Sequence, residues 1–135
     1  MIMLGHEKLD AARVHLEDAL GSNVMMLFFD DELIRLRAVL QDETSIIIYY
    51  NDHDQYSYSI IFSEKKEDRC RFDNFDKNWK VKTAPHHFHP RWTLEAFESP
   101  FLGDPDSDIS GLCDLILKGK MLDSEYRFSE PSGQE

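Results

Sequence analysis

Apolar side chains recur at Leu9, Ala12, Leu16, Ala19 and Leu20. Spacings of three and four predict an amphipathic helix over 6–20, with Glu7, Lys8, Arg13 and Glu17 toward water and Gly21 as the stop. From Asn23 the period shortens to two. Val24 to Phe29 is an apolar run, and Asp30-Asp31-Glu32 turns the chain. Over 33–40, Ile34, Leu36, Ala38 and Leu40 face one way and Leu33, Arg35, Arg37 and Val39 the other, which predicts a hairpin. Residues 45–50 read as a third strand, rich in Ile and Tyr. Tyr56, Tyr58, Ile60 and Phe62 mark a fourth, and 69–73 a short fifth. Residues 74–85 carry no period and form a loop anchored by Trp79. Trp92, Leu94 and Ala96 alternate and suggest a sixth strand ending near Ser99. Connections of a few residues predict an antiparallel meander, because parallel strands need long crossovers.

Asp104 as N-cap, Pro105 at the first helical position and the stripe Ile109, Leu112, Cys113, Ile116 and Leu117 predict a second helix, ended by Gly119. The polar tail over 124–135 is expected to fray, with Tyr126 and Phe128 able to dock. The expectation is an α+β fold: an antiparallel meander of five to six strands flanked by an N-terminal and a C-terminal helix, in one domain over 1–135.

Composition adds bounds. The chain has 135 residues and a hydrophobic fraction of 41%, enough for one core. No apolar run reaches the ~18 residues of a membrane span. The start shows no secretory leader, and Cys70 and Cys113 lie far apart with no CxxC, so a cytoplasmic location with free thiols is expected. The formal net charge is −11, which argues against a general nucleic-acid binder. The sign reverses between Arg69 and Trp92, however. There Arg69, Arg71, Lys77, Lys80, Lys82 and Arg91 face only Asp73 and Asp76. A local cationic site therefore sits in an acidic chain.

That stretch also holds Pro85-His86-His87-Phe88-His89-Pro90. The prolines favour extended backbone, and residues two apart in an extended segment share a side. His87 and His89 then project together, with His86 and Phe88 opposite. Two imidazoles near cationic groups suit acid–base work on a phosphodiester. They also suit a metal, with Asp73, Asp76 or Glu95 as a third ligand. Structural histidines beside prolines are the third reading. Asp73 can orient a histidine, and Asp73 and Asn74 are equally ordinary turn residues. Tyr56 and Tyr58 share one sheet face and can stack on bases or serve as half-buried sheet residues. No glycine-rich phosphate loop, GxSxG or HExxH is present.

Tyr56-Ser57-Tyr58, Arg71-Phe72-Asp73-Asn74 and Pro85-His86-His87-Phe88-His89, with Ser99 following, occur in the order found in the TumE-like family of prokaryotic toxin–antitoxin modules. The chain resembles that family over 56–117. It departs from it after Asn74, where Phe75-Asp76-Lys77-Asn78 replaces a Pro-His-His. The resemblance implies a toxin-like protein paired with an antitoxin protein. Together with the cationic segment, it leads to a toxin acting on RNA, as a metal-independent ribonuclease or as an RNA-binding inhibitor, with no cofactor expected. His87 and His89 are the expected acid–base groups and Asp73 the orienter. Arg71, Asn74, Lys80, Lys82, His86, Arg91, Tyr56 and Tyr58 are the expected substrate contacts. A non-enzymatic interaction module and a metal-dependent enzyme using His87 and His89 stand as alternatives. A homodimer is left open, and no membrane contact is expected.

Overall fold

The structure, a computed structural model, describes residues 3–76 and 78–128. Lys77 and the last part of the predicted tail lie outside the described residues. The element order is α1 (Gly5–Leu20), β1 (Val24–Asp30), β2 (Arg35–Leu40), β3 (Ser45–Tyr50), β4 (Tyr56–Ile61), β5 (Arg69–Asp73), β6 (His87–His89), β7 (Phe97–Glu98) and α2 (Pro105–Leu117). The strands form one antiparallel sheet in sequence order, β1 to β7. The α+β meander between two helices is as the pattern predicts. Neither helix is long and apolar enough to cross a membrane.

The strand count among the described residues is seven, above the predicted five to six. The added strand is the histidine cluster itself, which pairs with β5 through Arg71–His89 and Asp73–His87. Pro85 and Pro90 flank that strand rather than interrupt it, so the N–H groups of 87–89 remain free to pair. The last strand is Phe97–Glu98 and not the Trp92–Ala96 alternation. Trp92 adopts a positive φ, and its N–H donates to the Glu67 carbonyl. This draws the segment away from the sheet and leaves Leu94 exposed.

One face of the sheet carries the core. Leu36, Ala38, Ile46, Ile48, Tyr50, Tyr56, Tyr58, Ile60, Cys70, Phe72 and Phe88 pack there against Leu9, Ala12 and Leu16 of α1 and Ile109, Leu112 and Cys113 of α2. The alternation that buries these residues turns their neighbours to the other face, on which neither helix lies. Helix α2 begins as expected. Asp104 accepts from the Asp106 N–H at 3.2 Å and from the Ser107 hydroxyl at 2.7 Å, with Pro105 next.

A polar network crosses the core beneath α2. The Tyr50 hydroxyl lies 2.9 Å from that of Tyr58, which donates to Asp108 Oδ2 at 2.7 Å. The Gly103 N–H donates to the same oxygen at 2.8 Å. Burial raises the Asp108 pKa, and these hydrogen bonds only partly oppose it. Gly103 has φ +91°, and a Cβ there would meet the Tyr56 ring at 2.6 Å, so the turn into α2 requires glycine.

Candidate active site

Asp73 ends β5, and His87 and His89 are the two outward residues of β6. Antiparallel register sets His87 opposite Asp73 and His89 opposite Arg71. The two imidazole rings lie 4.8 Å apart, while Phe88 stacks on Phe72 in the core at 4.7 Å. Strand alternation thus places His87 and His89 together, as the extended segment predicts.

Their hydrogen bonds differ. His87 Nδ1 lies 2.9 Å from the Pro85 carbonyl and Nε2 lies 2.9 Å from Asp73 Oδ1. Both partners accept, so both ring nitrogens of His87 must donate, which makes the ring an imidazolium. Burial favours the neutral ring, but the Asp73 hydrogen bond and charge and the Pro85 carbonyl outweigh it, and the His87 pKa is raised. Burial would likewise raise the Asp73 pKa. The His87 hydrogen bond, the charges of Arg71 and His87 and the Phe75 N–H together hold it below the usual carboxylate range.

His89 Nδ1 lies 3.1 Å from the Glu95 carbonyl and so carries the proton. Its Nε2 keeps a lone pair and has no hydrogen-bond partner among the described residues. Burial and the neighbouring His87 charge lower its pKa. The site therefore pairs a charged, buried imidazole with a neutral, accessible one. A symmetric pair exchanging acid and base roles does not fit. His87 is 1% exposed with both nitrogens engaged, which corrects the expectation that it reaches substrate.

Arg71 Nε lies 2.7 Å from Asp73 Oδ2 as an ion pair, with no aligned acceptor for its buried N–H. The guanidinium also lies over the Phe75 ring at 5.1 Å. Trp79 covers the histidines, with ring centroids 5.7 Å from His87 and 5.4 Å from His89. Arg69, Arg71, Asp73, Trp79, His89 and Leu94 are among the residues lining a cavity of about 440 Å³.

The other expected contacts divide. Lys80 and Lys82 are exposed in the loop after Trp79. Arg91 is already engaged: its Nε hydrogen-bonds the buried Asp68, Nη1 donates to the Leu122 carbonyl at 3.0 Å, and the guanidinium stacks on Phe62. This geometry removes it from the expected phosphate contacts. Asn74 is likewise consumed as a turn residue, accepting from the Tyr56 N–H at 3.1 Å and donating to the Asp54 carbonyl at 2.8 Å.

Tyr56 and Tyr58 are 1% and 0% exposed, on the core face. They offer no ring to a base, which corrects that expectation. The Tyr56 hydroxyl donates to the Phe101 carbonyl at 3.1 Å and sits 3.0 Å from His86 Nδ1. That contact anchors His86 on the core side, opposite His87 and His89. Ser99 is also buried, its Oγ accepting from the Phe101 N–H at 3.2 Å. Burial raises both thiols, Cys70 and Cys113, to about 12, which leaves them protonated.

Ligating atoms of Asp73, His87 and His89 fall within 4.8 Å of one another, close enough to hold a metal. Coordination at His87 Nε2 would first require the proton shared with Asp73 to leave. Trp79 and Arg69 line the cavity beside His89, and Arg35 and Arg37 lie in the strand rows of Asp73 and Arg71; none of the four is among the substrate contacts expected from the sequence. The alternation that set Arg35 and Arg37 opposite Leu36 and Ala38 was their available signal.

A family model described as toxin TumE matches residues 13–114, from within α1 to within α2. No curated protein and no solved structure matches the chain.

Proposed function

The chain belongs to the toxin TumE family, and from that premise we propose that this toxin component acts on RNA by metal-independent cleavage at His89. The observation that carries the proposal is the free lone pair of His89 Nε2 in a cavity it shares with Arg71. A neutral imidazole beside a guanidinium suits removal of a proton and stabilisation of the charge that develops at phosphorus. His89 takes the proton of a ribose 2′-hydroxyl, and the 2′-oxygen attacks the adjacent phosphorus. The 5′-oxygen leaves and is protonated by water, giving a 2′,3′-cyclic phosphate and a 5′-hydroxyl end. His89 then returns its proton to solvent. Arg71 balances the phosphorane charge. His87 is a positioning residue: its imidazolium holds Asp73, and Asp73 in turn holds Arg71. Lys80 and Lys82 supply phosphate contacts at the exposed rim.

Purified protein incubated with total RNA, with His89→Ala as control, tests this reading. Cleavage by the wild type and its loss in the variant are expected, with growth arrest on expression following the same pattern. Intact RNA with the wild type, or equal cleavage by both, would overturn it.

The family also implies an antitoxin protein. Strand β1 has the features of its docking edge. It is one of the two edge strands of the sheet, it exposes Met25, Met26, Phe28 and Phe29, and it ends in the acidic run Asp30-Asp31-Glu32. A basic partner adding a strand there would cover the apolar side chains and pair the free backbone groups. Co-purification with a co-expressed antitoxin, weakened by Phe28→Lys, tests the docking.

A further inference from the structure

The sheet face opposite the helices shows a pattern that the histidine cluster does not use. Strand register aligns its outward residues in rows across the strands. One row runs Arg35, Tyr49, Ser57, Asp73, His87; the next runs Arg37, Ile47, Ser59, Arg71, His89. Arg69 lies in the third row, beside Ile61. Among the outward residues of β2 to β6 there are four arginines, Arg35, Arg37, Arg69 and Arg71, and one acid, Asp73. That acid is already paired with His87 and Arg71. The chain carries a formal net charge of −11, yet the middle of this face is cationic, between Asp30 beside Arg35 at one end of the first row and Glu98 beside His87 at the other.

Shape follows the charge. Ser57 and Ser59 are small and form a low floor at β4. Arg35, Tyr49, Arg71 and Phe75 rise around them, lining a groove of about 380 Å³. Tyr49 and Phe75 have ring centroids 6.1 Å apart and are only partly buried. Arg37 donates to the Ser45 hydroxyl at 3.3 Å, while Arg35 and Arg69 have no ion-pair partner among the described residues. The groove is continuous in sequence register with the rows that end at His87 and His89.

We propose that this open face is the track for a single-stranded RNA segment, entering over Arg35 and Arg37 on β2 and crossing the strands to Arg71 and His89. The proposal rests on the reading of His89 as the cleavage site and adds the substrate's form and path. From β2 to β6 is four strand spacings, ~19 Å, a distance that several nucleotides span. Arginines at both ends take phosphates, and Tyr49 and Phe75 offer faces on which unstacked bases can stack. A duplex would bury its bases from those rings. The acidic residues Asp30 and Glu32 close the β1 end, and Glu43 and Glu64 flank the far corner beside Arg37 and Arg69. Repulsion there confines a polyanion to the middle rows and directs it toward β6.

The test uses the full chain with Arg35→Ser and Arg37→Ser together. Both residues are exposed and lie four strands from His89. Binding of a labelled single-stranded RNA oligonucleotide is expected to weaken about ten-fold or more, and the salt slope to fall by about 1.4. Arg35→Lys with Arg37→Lys should retain most of the binding, and thermal unfolding should match the wild type in both variants. Cleavage of a ribodinucleotide, which reaches only the His89 cavity, should keep its wild-type rate.

Equal oligonucleotide binding by the serine variant and the wild type would overturn the track while leaving cleavage at His89 intact. So would equal wild-type affinity for duplex RNA. A wild type that cleaves neither substrate would overturn the reading of His89 itself, and the track with it.

Discussion

Asp73→Asn removes one charge from the His87–Asp73–Arg71 cluster while keeping nearly the same volume. In the wild type the carboxylate accepts from His87 Nε2 at 2.9 Å and from the Phe75 N–H at 2.9 Å, with Arg71 beside it at 2.7 Å. Asp73 and His87 are 3% and 1% exposed, so water cannot replace the lost partner. A hydrogen bond to a charged group contributes about 1.5–3 kcal/mol. A buried imidazolium without its carboxylate would cost more, but His87 escapes that penalty by losing its proton. Arg71 is partly exposed and adds little, because solvent screens it. The expected destabilisation near pH 6 is therefore about 2–3 kcal/mol.

The pH dependence has a defined sign. The folded pKa of His87 lies above its ordinary 6.5. Its contribution to stability is complete below that value and is lost as pH rises through the folded pKa. The folded pKa of Asp73 lies below its ordinary 3.8. Its contribution is present above that value and is lost as pH falls through the folded pKa. The pair therefore stabilises most between pH 3.8 and pH 6.5. Urea unfolding of wild type and Asp73→Asn from pH 5 to pH 9 should show the largest gap at the acid end and a shrinking gap above neutrality. NMR titration of the His87 ring should place its midpoint above 6.5 in the wild type and lower in the variant. A pH-independent gap, or a wild-type midpoint below 6.5, would refute the imidazolium assignment.

RNA cleavage should follow a bell-shaped pH profile. The lowered pKa of His89 sets an acid limb below 6.5, and the raised pKa of His87 sets an alkaline limb above it; profiles of cleavage rate against pH check this, and a single limb rising through pH 8 would contradict it. Tyr58→Phe deletes the hydroxyl between Tyr50 and Asp108 and should cost about 1–3 kcal/mol by urea unfolding, because two buried partners lose a bond at once. Zinc should not raise the melting temperature at pH 6, where His87 holds the proton that coordination must displace; a clear rise, absent from His89→Ala, would favour the metal-dependent alternative.

The helices and the first five strands were legible because their signals are local. A change of period from 3.6 to 2 at Asn23, and turns rich in Asp and Asn, mark the boundaries without tertiary help. Strand β6 was half legible: alternation correctly paired His87 with His89, but nothing local to Pro85–Pro90 shows that β5 lies alongside. The contact readings of Arg91 and Asn74 depart from the structure for a related reason, although Asn74 is the turn residue that its type also suggests. Their partners, Asp68, Leu122, Tyr56 and Asp54, lie up to 31 residues away in sequence, and no composition rule reports a consumed donor. Tyr56 and Tyr58 share a face as expected, but the choice between core and solvent depends on where α2 packs. The Asp108 hydrogen bond to Tyr58 fixes that choice and is nonlocal.

The same nonlocality explains how an acidic chain presents a cationic face. Arg35 and Arg37 sit in a sequence neighbourhood that includes Asp30, Asp31, Glu32, Asp42 and Glu43, so a charge count along the chain hides them. Strand geometry separates what the sequence mixes. Outward positions of β2 and β5 receive arginines, while most acids of this region fall in the turns at the sheet's ends. Cationic residues brought together by register attract a polyanion even when the net charge repels it, because at ~0.15 M salt the repulsion from charges beyond ~8 Å is screened. The acidic turns then act as borders within that range rather than as a uniform barrier. On this account, raising ionic strength weakens RNA binding through loss of the local attraction, and neutralising the distant acids of α1 leaves affinity unchanged. Glu17→Gln with Asp18→Asn is the variant that checks it, and a clear gain in affinity at ~0.15 M salt would show that the global charge governs binding after all.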